Sequence, residues 1–211
     1  MRLIRAVIFD FGGVLIRLTD FSGRQKWEQR LGLEAGELAR LVFESEAADR
    51  SMVGQATEDD IWRFVAATCG LDTELLPELR RDFWGNEQLD EQLVSFIRDL
   101  RPRYKTAILS NAWPGARQLF TEVLGLGDVV DEMIISCEEG VAKPDARIFQ
   151  IAVDRLGVEP EEAVFVDDVP VNVHRARAFG LQAILFENSQ QAVATVRNLL
   201  DETQTGLHEP A

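Results

Sequence analysis

Four short apolar runs in this chain each stop abruptly at polar residues, and that pattern limits the folds open to it. Residues 6–9 run into Asp10, and 106–109 end at Ser110 and Asn111. Residues 133–135 precede a loop carrying Lys143, and 163–166 end at Asp167 and Asp168. Three or four consecutive apolar residues beside turn-forming ones read as strands covered on both faces. Helical stripes separate them, over about 89–100, 114–124, 145–156 and 172–179, the last stopping at Gly180. A further strand at 183–186 and a helix at 189–200 follow. Strands alternating with helices of these lengths predict an α/β fold, a mostly parallel sheet with helices on both faces.

One region breaks the alternation. Residues 17–23 read as a loop in which Arg17 is a solvated charge. From 25 to 84 only helical spacing occurs: Leu38, Leu41, Val42 and Ser45; Ile61, Phe64, Val65 and Thr68; Leu75, Leu76, Leu79 and Phe83. About four helices are expected there, inserted after the first strand, with Trp27, Trp62, Phe64 and Trp84 in their core or at the seam. The predicted organisation is therefore a core of residues 1–16 and 85–211 around a helical subdomain of 17–84, with a frayed polar tail over 203–211.

A chain of 211 residues suffices for one core plus a small accessory domain, and 46% hydrophobic with 27% charged residues is globular composition. Net charge is −14 with no Lys/Arg-rich run, which argues against a nucleic-acid partner. Cys69 and Cys137 lie far apart and suggest neither a disulfide framework nor a cysteine metal site; buried thiols in a reducing cytosol are expected. No run approaches membrane-spanning length, and the first apolar run is too short for a signal segment. A soluble cytoplasmic protein acting on a small molecule is the expectation; oligomeric state leaves no mark on the sequence.

Strand ends of a parallel sheet share one rim, so Asp10, Ser110-Asn111, Lys143 and Asp167-Asp168 can converge. Alone, Asp10 before Gly12-Gly13 would read as a turn or helix cap; four polar clusters at the same end outweigh that. Close carboxylates repel unless a cation neutralises them, and Mg²⁺ takes one or two carboxylates together with phosphate oxygens and water. Lys143 supplies a fixed cation and Ser110 a hydroxyl and backbone N–H. Gly12 and Gly13 allow the backbone to approach the ligand. The set suits a phosphoryl group held between a metal and donors, with a carboxylate nucleophile.

These stretches resemble the haloacid dehalogenase-like hydrolase superfamily over essentially the whole chain. The matching motifs are Val7-Ile-Phe-Asp10-Phe-Gly-Gly-Val14, Leu109-Ser110-Asn111, Lys143-Pro144-Asp145, and Phe165-Val-Asp167-Asp168 followed by Asn172 and Gly180. The resemblance implies a Rossmann-like sheet with the first and fourth motif strands adjacent and a small four-helix cap. It implies that Asp10 attacks phosphorus to form an aspartyl-phosphate. Mg²⁺ would be held by Asp10, the Gly12 carbonyl and Asp168, with Asp167 bound directly or through water. Ser110, Lys143, Asn111 and Gly13 would bind the phosphoryl group, Lys143 restraining Asp10, and Asn172 would brace the metal loop. One departure stands out: most phosphatases of the family carry a second Asp, the general acid and base, where this chain has Gly12. The glucose-1-phosphate-type branch also carries Gly there, which makes a sugar phosphate a candidate substrate. Water, a metal-bound hydroxide, Glu46 or Asp49 are candidate replacements for that Asp. Gly12 also leaves open metal-independent 2-haloacid dehalogenation, disfavoured by the intact acidic pair, and a phosphate-binding regulatory protein without turnover. Elsewhere, Gly54 faces substrate or caps a helix, Trp113 lines the cleft or packs beneath the cap, and His174 and His208 are surface residues.

Overall fold

The computed structural model describes residues 2–85 and 87–205. Its centre is β1 (Ala6–Phe9), every residue of which is buried. The chain then forms a short strand β2 (Ile16–Leu18) and five helices: α1 (Ser22–Leu31), α2 (Glu37–Phe43), α3 (Glu46–Met52), α4 (Glu58–Cys69) and α5 (Leu76–Trp84). It returns through β3 (Glu87–Leu89) and continues as α6 (Glu91–Leu100), β4 (Lys105–Ser110), α7 (Ala116–Gln118) with a π-helical turn Leu119–Val123, and β5 (Glu132–Ile135). The remainder is α8 (Ser136–Glu139), α9 (Ala146–Leu156), β6 (Ala163–Asp167), α10 (Pro170–Phe179), β7 (Gln182–Leu185) and α11 (Ser189–Thr205). The expected tail continues α11 as far as Thr205; the rest of it, with His208, lies outside the described residues.

The main sheet is five-stranded and parallel, in the order β5-β4-β1-β6-β7. Ile8 pairs with Ala107 on one side and Phe165 on the other, so β4, β1 and β6 run out at the same edge, β6 one residue and β4 two residues beyond β1. Alternate residues of β1 feed two apolar layers. Val7 and Phe9 pack with Leu93 and Ile97 of α6 and Val196 of α11, while Ala6 and Ile8 pack with Ile148 and Ala152 of α9 and Ala176 of α10. Burial on both faces explains why these strands read as continuous apolar runs rather than alternating ones.

The helical insert has a separate apolar cluster built on Trp27, Leu38, Val42, Ile61, Trp62, Leu79 and Phe83. Its two ends are tied by antiparallel pairing of β2 with β3, Ile16 opposite Leu89. Several expectations shift here. Arg17 lies in β2, not in a loop, and Leu89 lies in β3; the following helix starts only after Asp90, whose carboxylate caps it through the Leu93 N–H. The stripe from Leu38 to Ser45 divides into two helices because Ser45 caps α3 through the Ala48 N–H. In α4 the inward face is Ile61, Trp62, Val65 and Ala66, with Phe64 exposed. Trp62 offers the larger apolar surface, and its indole N–H bonds Glu58 on the same helix at 2.7 Å. Cys69 and Cys137 are half-buried rather than enclosed.

Candidate active site

Each polar cluster sits where a buried strand runs out. Asp10 follows β1, Ser110 closes β4, Asp167 closes β6 with Asp168 next, and Lys143 precedes α9. Because β4, β1 and β6 are neighbours, Ser110, Asp10 and Asp167 share the rim, and the Asp10 N–H extends the ladder by donating to Val166 O at 2.8 Å.

Lys143 organises the group. Its Nζ lies 2.7 Å from Asp10 Oδ1, 2.7 Å from Asp167 Oδ2 and 2.9 Å from the Leu109 carbonyl. Its ammonium is fully buried, a state tolerated only when a charge is paired and hydrogen-bonded. Burial pulls the Lys143 pKa down, but the two carboxylates outweigh it and hold the group above its ordinary value. Asp10 goes the other way. Burial pushes its carboxyl up to about 7, against the opposing pull of Lys143 and with added repulsion from Asp167. Asp168 is also raised, by burial first and then by the Asp167 charge.

Asp10, Asp167 and Asp168 offer oxygens that all lie within 4.8 Å of one another. Three carboxylates facing one ammonium leave an excess of negative charge, and the donors are all hard oxygens, so the residues present fit a divalent cation such as Mg²⁺. Asp10 Oδ1 accepts from the Phe11 N–H at 2.7 Å, while Oδ2 receives no hydrogen bond from the described residues. Asp167 is the most committed of the three. Its oxygens accept from Lys143, from the Val169 N–H at 2.8 Å, and from Asn172 Nδ2 at 3.1 and 3.2 Å. A direct metal bond there would compete with these contacts; a water-mediated one would not.

Two residues expected at the phosphoryl group are engaged elsewhere. Asn111 clamps the backbone of Lys143: its Nδ2 donates to the Lys143 carbonyl and its Oδ1 accepts from the Lys143 N–H, both at 2.8 Å. Its side chain therefore holds the lysine's backbone in place. The Gly13 N–H donates to Ile16 O at 2.9 Å and so is not available to a ligand. What Gly13 provides is room: at φ +77°, a Cβ there would lie 2.1 Å from Asp168 Oδ2. Ser110 is buried at the end of β4, and Gly12 is exposed beside Asp10.

The insert meets this rim through contacts that sequence spacing does not signal. Trp113, just beyond Asn111, packs with Phe43 and Trp84 of the insert at 5.9 and 5.8 Å between ring centroids. Gly54 follows α3 at φ +74°, and a Cβ on it would lie 2.4 Å from the Cys137 carbonyl, so it marks a close approach of the insert to α8. Arg17 bonds Asp90 at 2.6 Å and the Val14 carbonyl at 3.0 Å, and Ser189 Oγ donates to the same Asp90 carboxylate. Glu46 and Asp49 are exposed on α3, and His174 is exposed on α10.

A family profile of haloacid dehalogenase-like hydrolases matches residues 4–180. The chain belongs to this family. Like its relatives it is a hydrolase of the α/β type described above. It is 26% identical to D-ribitol-5-phosphate phosphatase of Bacteroides thetaiotaomicron, the match covering 88% of this chain and 93% of that one. It is 28% identical to (S)-2-haloacid dehalogenase 1 of a Pseudomonas species, over 86% of this chain and 83% of the other. Longer relatives contain the match as a part: the chain spans 19% of mouse acyl-CoA dehydrogenase family member 10 and 38% of pig bifunctional epoxide hydrolase 2. Among solved structures, a HAD-like hydrolase of Porphyromonas gingivalis shares the fold with a TM-score of 0.74 at 24% identity, covering 94% of this chain and 98% of its own. Among the described residues, no helix is long and apolar enough to cross a membrane.

Proposed function

We propose that this hydrolase is a Mg²⁺-dependent phosphatase of a small phosphorylated metabolite, acting through an aspartyl-phosphate on Asp10. The observation that carries this reading is the Lys143 bridge between Asp10 and Asp167, set beside the three-carboxylate cluster. A bound Mg²⁺ would offset the charge of the phosphoryl oxygens and of the carboxylates; Asp10, Asp168 and the Gly12 carbonyl would hold it, with Asp167 contributing through water. Lys143 and the Phe11 N–H fix one oxygen of Asp10, which orients the carboxylate for attack on phosphorus. Ser110 would receive a phosphoryl oxygen and Lys143 would supply positive charge beside it, while Asn111 and Asn172 hold Lys143 and Asp167 in place. The helical insert, residues 17–84, would cover the rim as a cap. The ribitol phosphate phosphatase similarity supports this reading, as does a structural neighbour from the same organism described in complex with magnesium and inorganic phosphate (TM-score 0.68, 20% identity).

The test is phosphate release from an aryl phosphate and a panel of sugar phosphates, with Mg²⁺, with EDTA, and with Asp10→Asn. Release that needs Mg²⁺ and Asp10 supports the phosphatase; silence across the panel overturns it. The bare Gly12 and the dehalogenase relative favour a second reading, metal-independent dehalogenation of a 2-haloacid. Halide release from 2-chloropropionate in EDTA would establish that instead.

A further inference from the structure

The ends of β1 and β4 away from Asp10 hold a cavity of about 550 Å³. Its lining includes Arg5, Arg101, Arg103, Lys105 and Tyr104, with a single carboxylate, Asp131. Four cations against one carboxylate are a local excess of positive charge in a chain whose net charge is −14. Arg5 leads into β1 and Lys105 begins β4, whereas Asp10 and Ser110 stand at the other ends of the same strands. At about 3.3 Å per residue, the run from Lys105 to Ser110 spans about 16 Å, so a small anion held here does not touch Asp10.

The charged lining stands on hydrogen-bonded backbone. The N–H groups of Arg103 and Tyr104 both donate to the Leu100 carbonyl, at 3.0 and 2.9 Å, closing the turn between α6 and β4. Arg5 is bonded on both sides: its N–H donates to Glu162 O, and its carbonyl accepts from the Lys105 N–H, each at 2.8 Å. Tyr104 is buried, and the Arg103 guanidinium lies over its ring, 5.5 Å from the centroid. Asp131 is already committed. Its Oδ1 pairs with Arg101 at 3.2 Å, and its Oδ2 accepts from the Thr106 N–H at 2.9 Å. Arg101 also donates to the Asp128 carbonyl, and Arg5 pairs with Glu162 at 3.1 Å. Two positive charges remain over: Arg103 and Lys105 are exposed and form no ion pair among the described residues.

We infer that this cavity binds a small polyanion with two or more linked phosphate groups, a free polyphosphate or the phosphate chain of a nucleotide, at a site separate from the active site. Guanidinium forks match phosphate oxygens two at a time, and a lysine adds a point charge. One phosphate group answers Arg103 and Lys105. A second takes up the remaining N–H groups of Arg101 and Arg5, since each guanidinium carries five donors and spends only part of them on its carboxylate partner. The volume lies within the ordinary range of small-ligand sites. Arg103 already lies over the Tyr104 ring, so recognition rests on the phosphates and requires no base. The site is independent of the reaction at Asp10 and would stand equally if that reaction were a dehalogenation.

Tyr104 is the only tyrosine in the chain, which gives the site its own probe. The full chain, labelled with fluorotyrosine, is titrated with inorganic triphosphate, ATP and inorganic phosphate and followed by fluorine NMR and calorimetry. EDTA is present throughout, so that the phosphate chains carry no metal and are not turned over. Triphosphate or ATP is expected to shift the single fluorine line saturably, with a Kd below about 1 mM. Inorganic phosphate is expected to bind ~10-fold or more weakly, having one group to offer instead of two. Arg103→Ala combined with Lys105→Ala should weaken the polyanion ~10-fold or more, while Arg103→Lys with Lys105→Arg keeps it. Asp10→Asn should leave it unchanged. ATP binding more tightly than triphosphate marks a nucleotide as the source; otherwise the ligand is a free polyphosphate. The inference is overturned if neither polyanion saturates the shift below about 1 mM, or if calorimetric binding leaves the fluorine line in place. It is also overturned if the double alanine variant binds as wild type does, or if inorganic phosphate binds as tightly as triphosphate, which would mean an adventitious ion only. Should the double variant not fold, Lys105→Glu, at an exposed side chain, is titrated in its place with the same loss expected.

Discussion

The rim of the sheet and the helical insert are built on different principles. At the rim, charged groups are buried, and each is fixed by others: Lys143 by Asp10, Asp167 and Leu109, its backbone by Asn111, Asp167 by Asn172. The insert is held by apolar packing around Trp27, Trp62 and Phe83, with its ion pairs, such as Lys26 with Glu78 and Asp82, at the surface. An electrostatic lattice of this kind fixes geometry through its shared cation and is most sensitive to the loss of that cation. A packed aromatic cluster tolerates more change.

Several measurements would break or sharpen that contrast. Lys143→Met should have the largest effect. It leaves Asp10 and Asp167 facing each other unpaired, and stability without Mg²⁺ should fall by about 3–5 kcal/mol at pH 8 in denaturant unfolding, the usual cost of orphaning a buried ion. Much of this loss should be recovered at pH 5, where Asp10, raised to about 7 by burial, takes up a proton; an equal loss at both pH values would mean the lattice is not electrostatic. Gly54→Ala tests the seam instead. A Cβ against the Cys137 carbonyl, together with the positive φ, should cost about 1–3 kcal/mol. The loss should be independent of pH.

The third prediction concerns pH in the wild type. The Asp10 pKa is raised from 3.8 to about 7 on folding, so the folded state binds the extra proton between those values. This group's contribution to the stability of the metal-free protein is therefore most favourable below pH 4 and declines as pH rises to 7, then levels off. Asp10→Asn should remove that decline and raise the melting temperature at pH 8 by a few degrees, read by thermal denaturation in EDTA. An unchanged pH profile in the mutant would assign the decline to another group. The smallest effect is expected from Arg17→Ala, which breaks a half-exposed pair with Asp90 and should cost no more than about 1 kcal/mol.

The rim was legible in the sequence because the change from a buried strand to a polar residue is a local signal, and parallel strands bring such ends together automatically. Asp10, Ser110, Lys143, Asp167 and Asp168 could be read that way. Asn111 and Gly13 could not be placed, because the partners of their N–H and C=O groups are set by loop conformation: one faces Lys143 and the other Ile16. In the insert, a stripe of 3.6 periodicity fits two adjacent faces of α4 equally well, and only packing decides that Trp62 turns inward and Phe64 outward. Arg17 and Asp90 stand far apart along the chain, so the pairing of β2 with β3 had no local signature.

That pairing has a consequence for how such a chain can be rebuilt. The chain leaves the core at Leu18 and comes back at Glu87, its register partner on the neighbouring strand. Paired strands lie about 4.8 Å apart, a gap that a two-residue hairpin turn closes. The chain between them is a closed excursion, so a tight turn could replace it, or a foreign helical module be spliced in, without changing the pairing of β2 with β3.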